Sequence, residues 1–497
     1  MKNILTSKQM KVCDNETISG GVPSAVLMER AAKAVFDIII KECDTAKTLI
    51  VCGSGNNGGD GILVAELLYD SGYDCDILYV GKGHTMSDET KKRYYKAIKK
   101  GIPFTDEPQI SEYSLVVDAV LGTGLCFKPE GLVKEAINRI NDSEACIVSV
   151  DIPSGISSDT GRAMGLAVNA DITVAIQSYK RGHILSDGVD ASGKVYCSDI
   201  GIDTTPAYEI EEFTPLAVER SDLSLIPRRK KSSHKGTFGR VLVIAGNVGM
   251  CGAAYLSASA SYRSGAGLVE IFTPRENREI LQTLLPEAIV TVYDRSYLDR
   301  DLLQTSVDRA NVIIIGPGMG TDECSTRILK EVYQKSNAPL IIDADALNIT
   351  GKEKLSFPTE VPVIVTPHPA EFSRLTGKTI REISDYPIES AVNFANENDI
   401  ICVLKFAKTV ITDGSNIFVN MSGGPALSKG GSGDVLTGVI AGMLCSGLSP
   451  VGAASLGAYI HGSAGDIASE CFGEMSPVAR DVIDAIPSVL KDVKGKK

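Results

Sequence analysis

Short runs of β-branched and aliphatic residues recur along the chain, each ending in a glycine-rich or acidic turn and followed by a segment with helical spacing. In the first half they are Thr48–Cys52, Cys75–Val80, Leu115–Val120, Cys146–Val150 and Ile172–Ile176. In the second half they are Arg240–Ala245, Leu268–Phe272, Asn311–Ile315, Pro339–Ile342, Val361–Val365 and Ile401–Leu404. Continuous apolar runs without alternation predict strands buried on both faces. Their alternation with helices predicts βαβ units, and so an α/β fold of two three-layer αβα domains. Thr204–Ser233 carries no such run, is rich in Pro, Glu and Thr, and closes on a basic stretch from Pro227 to His234. It reads as a linker, with the boundary near residue 215 and domains over 1–215 and 216–497.

Composition narrows the function. A chain of 497 residues has room for two full cores. Its 50 basic and 62 acidic side chains give a net charge of −12, which excludes nucleic acid as the main partner, because phosphate backbones need a basic face. A small anionic ligand needs only a local positive site. No stretch approaches the ~20 apolar residues of a membrane span, and the polar start lacks a signal core. The 12 cysteines are scattered, with no C-x-x-C pair, as in a reducing compartment. A soluble cytoplasmic protein is expected.

Three turns in the first half carry candidate chemistry. Strand Thr48–Cys52 runs into Gly53-Ser54-Gly55-Asn56-Asn57-Gly58-Gly59-Asp60-Gly61, before a helix expected over Ile62–Asp70. Glycines between strand and helix let the backbone approach a phosphate, with the helix N-terminus supplying N–H donors. Asp118 to Gly124 follows the next such strand, and Asp151-Ile152-Pro153-Ser154-Gly155 the one after. Each places an acid at the carboxyl end of a buried strand, the edge where open α/β sheets bind ligands. One such aspartate is commonly a helix cap; three in one domain are harder to assign that way. Oxygens of Asn57, Asp118 and Ser154 suit a hard cation.

In the second half Gly430-Gly431-Ser432-Gly433-Asp434 precedes an apolar helical run, Val435–Leu444. Backbone N–H groups at such a helix start can hold a transferring phosphoryl group, and Asp434 can take the proton of the attacking hydroxyl. Gly316 to Gly320, Asp343 to Asn348, His368-Pro369-Ala370-Glu371-Phe372 and Lys405 follow successive strands, and a helix is expected from about Ala253 to Arg263. A lone histidine at such a place is more often a packed loop residue; within His-Pro-Ala-Glu, ligand contact is favoured.

Asn-Asn-Gly-Gly-Asp, Asp-x-x-x-Gly-Thr-Gly and Asp-Ile-Pro-Ser-Gly, in this order, resemble the NAD(P)H-hydrate epimerase family over about Leu5–Ile202. The resemblance implies a Rossmann-like sheet. It implies that Asn56, Asn57, Gly58, Gly59 and Asp60, with Gly122, Thr123, Gly124, Leu125, Cys126, Phe127 and Lys128, contact the hydrated dinucleotide. It further implies that Asp151 lies against the reacting ring, and that Asn57, Asp118 and Ser154 bind potassium. Inversion links the R and S hydrates, and Asp151 is the candidate proton carrier.

The glycine–aspartate segment resembles the ribokinase-like superfamily. With the other turns, the chain from about His234 to Leu490 resembles its NAD(P)H-hydrate dehydratase branch. That implies that Ala253, Gly318, His368 and Asp434 face the hydrate, that Lys405, Phe406, Ala407, Lys408, Thr409 and Gly433 hold the nucleotide, and that magnesium offsets the phosphate charge. The expected reaction phosphorylates the ring hydroxyl of the S hydrate with ADP and then expels phosphate, leaving AMP and NADH or NADPH. The family usually has glycine where Phe406 stands here. The resemblance also implies a homo-oligomer, with a tetramer as the candidate. A small-molecule kinase, a non-catalytic binding protein and a dehydrogenase are the competing functions; the last lacks the spaced G-x-G-x-x-G.

Overall fold

A computed structural model describes the chain except residues 82–85, 126, 211–212, 492 and 494–497. Cys126, expected at the first site, therefore lies outside the described residues. The chain divides into two compact units, Lys2–Pro215 and Leu216–Lys497, with Met1 going with the second.

In the unit Lys2–Pro215, six strands form a parallel sheet in the order Cys75–Tyr79, Thr48–Cys52, Leu115–Ala119, Cys146–Val150, Ile172–Ile176, Lys194–Ser198. Successive side chains feed two cores. Ile50 and Cys52 pack with helices Ser24–Glu42 and Asn56–Asp70, while Leu49 and Val51 pack with helix Gly131–Asn141. Burial on both faces is why these strands read as unbroken apolar runs. Strand Lys194–Ser198 has no such run, since it is an edge strand and largely half-exposed. The chain direction across the sheet reverses between Thr48–Cys52 and Leu115–Ala119, and the crevice beyond their carboxyl ends is where doubly wound sheets bind ligands.

Helix Ser7–Ser19, which the apolar runs do not signal, opens on a capping box between Thr6 and Gln9. The buried Gln9 amide then donates to Ala207 O at 3.0 Å and to Thr214 at 2.8 Å, which fixes the helix against the rest of the unit.

In the unit Leu216–Lys497, seven parallel strands run Ile289–Tyr293, Leu268–Pro274, Arg240–Ile244, Val312–Ile315, Leu340–Ile342, Val363–Val365, Ile401–Leu404. Two antiparallel pairings then add Thr409–Thr412 and Ile417–Asn420, and Leu216–Val218 closes the unit's edge. This last strand lies inside the stretch expected to be linker; at three residues it is too short to show as an apolar run.

Helices Cys251–Arg263 and Ser432–Cys445 lie side by side on one face of this sheet. A Cβ at Gly438 would overlap Ser257 O and come 2.7 Å from the Ala260 methyl. Gly438→Val is expected to destabilise this unit by about 1–3 kcal/mol through overpacking, read as a lowered midpoint in thermal unfolding.

Candidate active sites

The first unit holds a cavity of about 690 Å³ at the reversal point of its sheet. Asn56, Asn57, Asp60, Gly122, Thr123, Gly124, Leu125, Phe127 and Asp151 all line it. The helix expected from Ile62 begins at Asn56 with Gly55 as its cap, so Asn56 to Gly59 form its first turn and Asp60 follows directly. The N–H groups of Asn56, Asn57 and Gly58 are among those an α-helix leaves without an intrahelical partner and so suit an anion, whereas Gly59 N already donates to Gly55 O at 3.3 Å. The glycines divide by role. A Cβ at Gly53 or Gly58 would strike backbone oxygen, whereas nothing lies within 4 Å of one at Gly55, the open approach for a ligand. Gly58 and Gly59 are buried behind the turn, and the Lys128 stem lies over Gly165 instead of in the cavity wall.

Asp151 ends its strand at φ 68°, and Gln177 ends the neighbouring strand at φ 65°. Left-handed backbone at a non-glycine residue costs about 1–3 kcal/mol and persists where surrounding contacts impose it. Here they do. Asp151 Oδ1 pairs with the Lys180 ammonium and accepts from Ile176 N at 3.0 Å. The ammonium also donates to Ile176 O at 2.8 Å, and its side chain is only 1% exposed. His183 Nε2 meets Asp151 O at 2.9 Å, while its Nδ1 accepts from Lys180 N at 3.1 Å. Burial, and then the Lys180 charge, push His183 down to about 4, so its imidazole is neutral at pH 7. Lys180 and Asp14 line the same cavity and escaped the sequence analysis.

Asn57 and Ser154 both reach Leu121 O, and Asp118 joins them through Ser154. Asn57 donates to Leu121 O at 3.0 Å, and Ser154 Oγ accepts from Leu121 N at 2.8 Å. Asp118, fully buried, accepts from Ser149, from Ser154 N and Oγ, and from Val120 N. Burial raises its carboxyl despite these bonds. One buried carboxylate beside an amide, a hydroxyl and a carbonyl oxygen is a hard-oxygen donor set that fits a monovalent cation.

In the second unit the reversal lies between Arg240–Ile244 and Val312–Ile315. Gly318, at φ 57°, abuts it, and a Cβ there would lie 2.9 Å from the Ala253 methyl, so these two predicted residues are neighbours. Helix Ser432–Cys445 starts behind Gly431 at φ 94°, placing Asp434 in its first turn. Lys405 Nζ holds Asp343 Oδ1 at 3.0 Å, and both flank the open side of Gly433. Asp345 accepts from Gly320 N at 2.8 Å. Burial and then the Asp343 charge, against the Lys405 charge, push Asp434 up to about 7. The predicted residues Asp434, Gly433 and Lys405 thus meet, joined by Asp343 and Asp345.

His368 caps helix Pro369–Thr376. Its Nδ1 accepts from Ala370 N at 3.1 Å and its N–H donates to Glu371 at 2.9 Å. Burial and the Lys405 charge lower its pKa. Lys405 to Thr409 form the hairpin into strand Thr409–Thr412. Phe406 keeps an ordinary backbone, absent from the positive-φ residues, so this hairpin closes without the glycine usual there. Ala407 is exposed, and the Lys408 ammonium is bound to Met421 O at 2.8 Å.

Residues 24–182 match the family model described as YjeF-related protein N-terminus, and residues 241–488 match that of NAD(P)H-hydrate dehydratase. The bifunctional NAD(P)H-hydrate repair enzyme Nnr of Moorella thermoacetica is 35% identical across 95% of this chain and 93% of its own. The chain belongs to the bifunctional NAD(P)H-hydrate repair family. The relative of that name in Escherichia coli is 33% identical over 93% of this chain and 89% of its own. Among solved structures, the ADP/ATP-dependent NAD(P)H-hydrate dehydratase of Bacillus subtilis, co-crystallised with ATP and Mg²⁺, is 33% identical, with a TM-score of 0.51. It covers 56% of this chain and 99% of its own. Within the family frame, Asp60, Asp118, Asp151 and Lys180 lie inside the first match and Ala253 to Asp434 inside the second, while Asp14 lies upstream of both.

Proposed function

We propose that the chain repairs hydrated NADH and NADPH in two steps: the unit 1–215 interconverts the R and S hydrates, and the unit 216–497 dehydrates the S form at the expense of ADP. The observation that carries this reading is the pairing of two different crevices in one chain, one with an Asp151–Lys180 pair beside an open glycine turn, the other with Asp434 at a helix start.

For the dehydratase, the first-turn N–H groups of helix Ser432–Cys445 and the Lys405 ammonium receive the transferring phosphoryl group. Asp434 takes the ring hydroxyl proton as that oxygen attacks. Phosphate then leaves as the ring nitrogen supplies electrons, giving NAD(P)H, AMP and phosphate. Magnesium would offset charge on the phosphates, and Asp343 and Asp345 offer the one or two carboxylates it takes beside them. Asp434 must be ionised to act. With its carboxyl at about 7, the single-turnover dehydration rate is expected to rise with pH up to about 7 and to fall about tenfold per unit below it.

For the epimerase, Asp151 is the proton carrier and potassium would sit among Asn57, Asp118, Ser154 and Leu121 O. Exchanging potassium for tetramethylammonium is expected to slow epimerisation while the apoprotein melts higher in potassium. Phe406, Lys408 and Thr409 complete the nucleotide hairpin, and the setting is cytoplasmic. No helix among the described residues is long and apolar enough to cross a membrane. The test is product analysis on the S hydrate with ADP. Free phosphate with recovered absorbance of reduced nicotinamide supports the reading, and a stable phosphorylated product would replace it with that of a small-molecule kinase.

A further inference from the structure

Inversion at a ring carbon needs proton transfer on both faces. Water leaves from one side as its oxygen is protonated, and water adds from the other as a proton is removed. One carboxylate does not serve both sides at once. Besides Asp60 of the glycine turn and Glu89, which pairs with Lys92, the cavity at the first site offers a further carboxyl group on a separate element. Asp14 lies on helix Ser7–Ser19 and lines the cavity, while Asp151 enters it from the end of strand Cys146–Val150.

Asp151 Oδ1 is occupied by Lys180 and Ile176 N, leaving Oδ2 without a protein donor among the described residues. The Asp14 carboxyl has no hydrogen-bond partner among them either, and Lys180 and Asp151 are the two charges acting on it most strongly. Its helix is held in place by Gln9, three residues beyond the Thr6 cap and five before Asp14.

We propose that Asp14 is the second acid–base residue of the epimerase, working opposite Asp151. The inference rests on the epimerase reading given above. In one direction the Asp14 carboxyl gives its proton to the ring hydroxyl. The carbon–oxygen bond breaks, water departs, and the ring nitrogen lone pair forms the carbon–nitrogen double bond of a cationic ring. Asp151, opposite, takes a proton from the incoming water as the new carbon–oxygen bond forms and the nitrogen regains its lone pair. The other epimer runs the exchange backwards, and solvent resets the pair. No oxidant or reductant is required. Burial pushes Asp14 up to about 6, with Lys180 opposing and Asp151 reinforcing the rise. At pH 7 both its forms are therefore available, as a group that gives and takes protons needs.

The test uses the full chain with purified R hydrate, following R-to-S conversion chromatographically without nucleotide. The wild type is expected to convert it; if it does not, the epimerase reading itself fails, whatever Asp14 does. Given wild-type conversion, Asp14→Asn is expected to lower kcat at least about 100-fold with KM within about threefold, and Asp14→Glu to recover at least tenfold over Asn. S-hydrate dehydration by the same samples should be unchanged. Asp14→Asn within twofold of wild type would overturn the proposal. So would equal losses in the Asn and Glu variants, which would mark Asp14 as structural.

Discussion

Asp434→Asn is expected to slow dehydration of the S hydrate by about two to four orders of magnitude while leaving R-to-S conversion within twofold of wild type. The reasoning is chemical before it is structural. A ring hydroxyl is a poor nucleophile until its proton has somewhere to go, and asparagine cannot take it. Asparagine fills the same space at the same helix position, and the Asp434 backbone oxygen that accepts from Ser257 and Thr437 is unaffected. Removing the charge also relieves repulsion from Asp343 and Asp345, so folding should not suffer. Rapid-quench turnover with ADP, beside a melting curve, separates the two effects. A loss smaller than tenfold would mean that another group takes the proton.

Asp151→Asn has the second large effect, and it is double. Epimerisation is expected to fall by at least about 100-fold, with dehydration of purified S hydrate intact. Stability should fall as well. Lys180 is 1% exposed, and stripping a buried ammonium of its carboxylate costs about 3–5 kcal/mol. The double variant Asp151→Asn, Lys180→Met removes the stranded charge. It is expected to recover much of the lost stability in chemical unfolding but none of the activity. Recovery of both would reduce Asp151 to a structural role.

What the sequence made legible follows from where its signals are local. Asp118, Asp151 and Asp434 each sit at the end of a continuous apolar run or the start of one, and strands buried on both faces write such runs directly into the chain. The same logic located the glycine turns at the two reversal points of the sheets. Other features depend on partners far away in sequence. Lys180 looks like any lysine after a strand until the fold brings it to Asp151, and Asp14 lies on a helix with few apolar positions. Strands Lys194–Ser198 and Leu216–Val218 are exposed or short, so they leave no apolar signature. Helix Asn56–Asp70 starts six residues before the expected Ile62, because unpaired first-turn N–H groups tolerate Asn and Gly that the helix interior disfavours. Phe406 stands where the resemblance implies glycine and takes no left-handed backbone, which only φ could reveal.

The central claim is one chain with two coupled activities. Its most direct measurement is the absorbance of reduced nicotinamide after incubating the wild-type chain with an equal mixture of R and S hydrates and excess ADP. We expect complete conversion of both epimers, with one AMP released per NADH regenerated. Conversion that stops at half, at a rate of further change no faster than the enzyme-free control, would contradict the claim for the first unit, and no conversion would contradict it for the second.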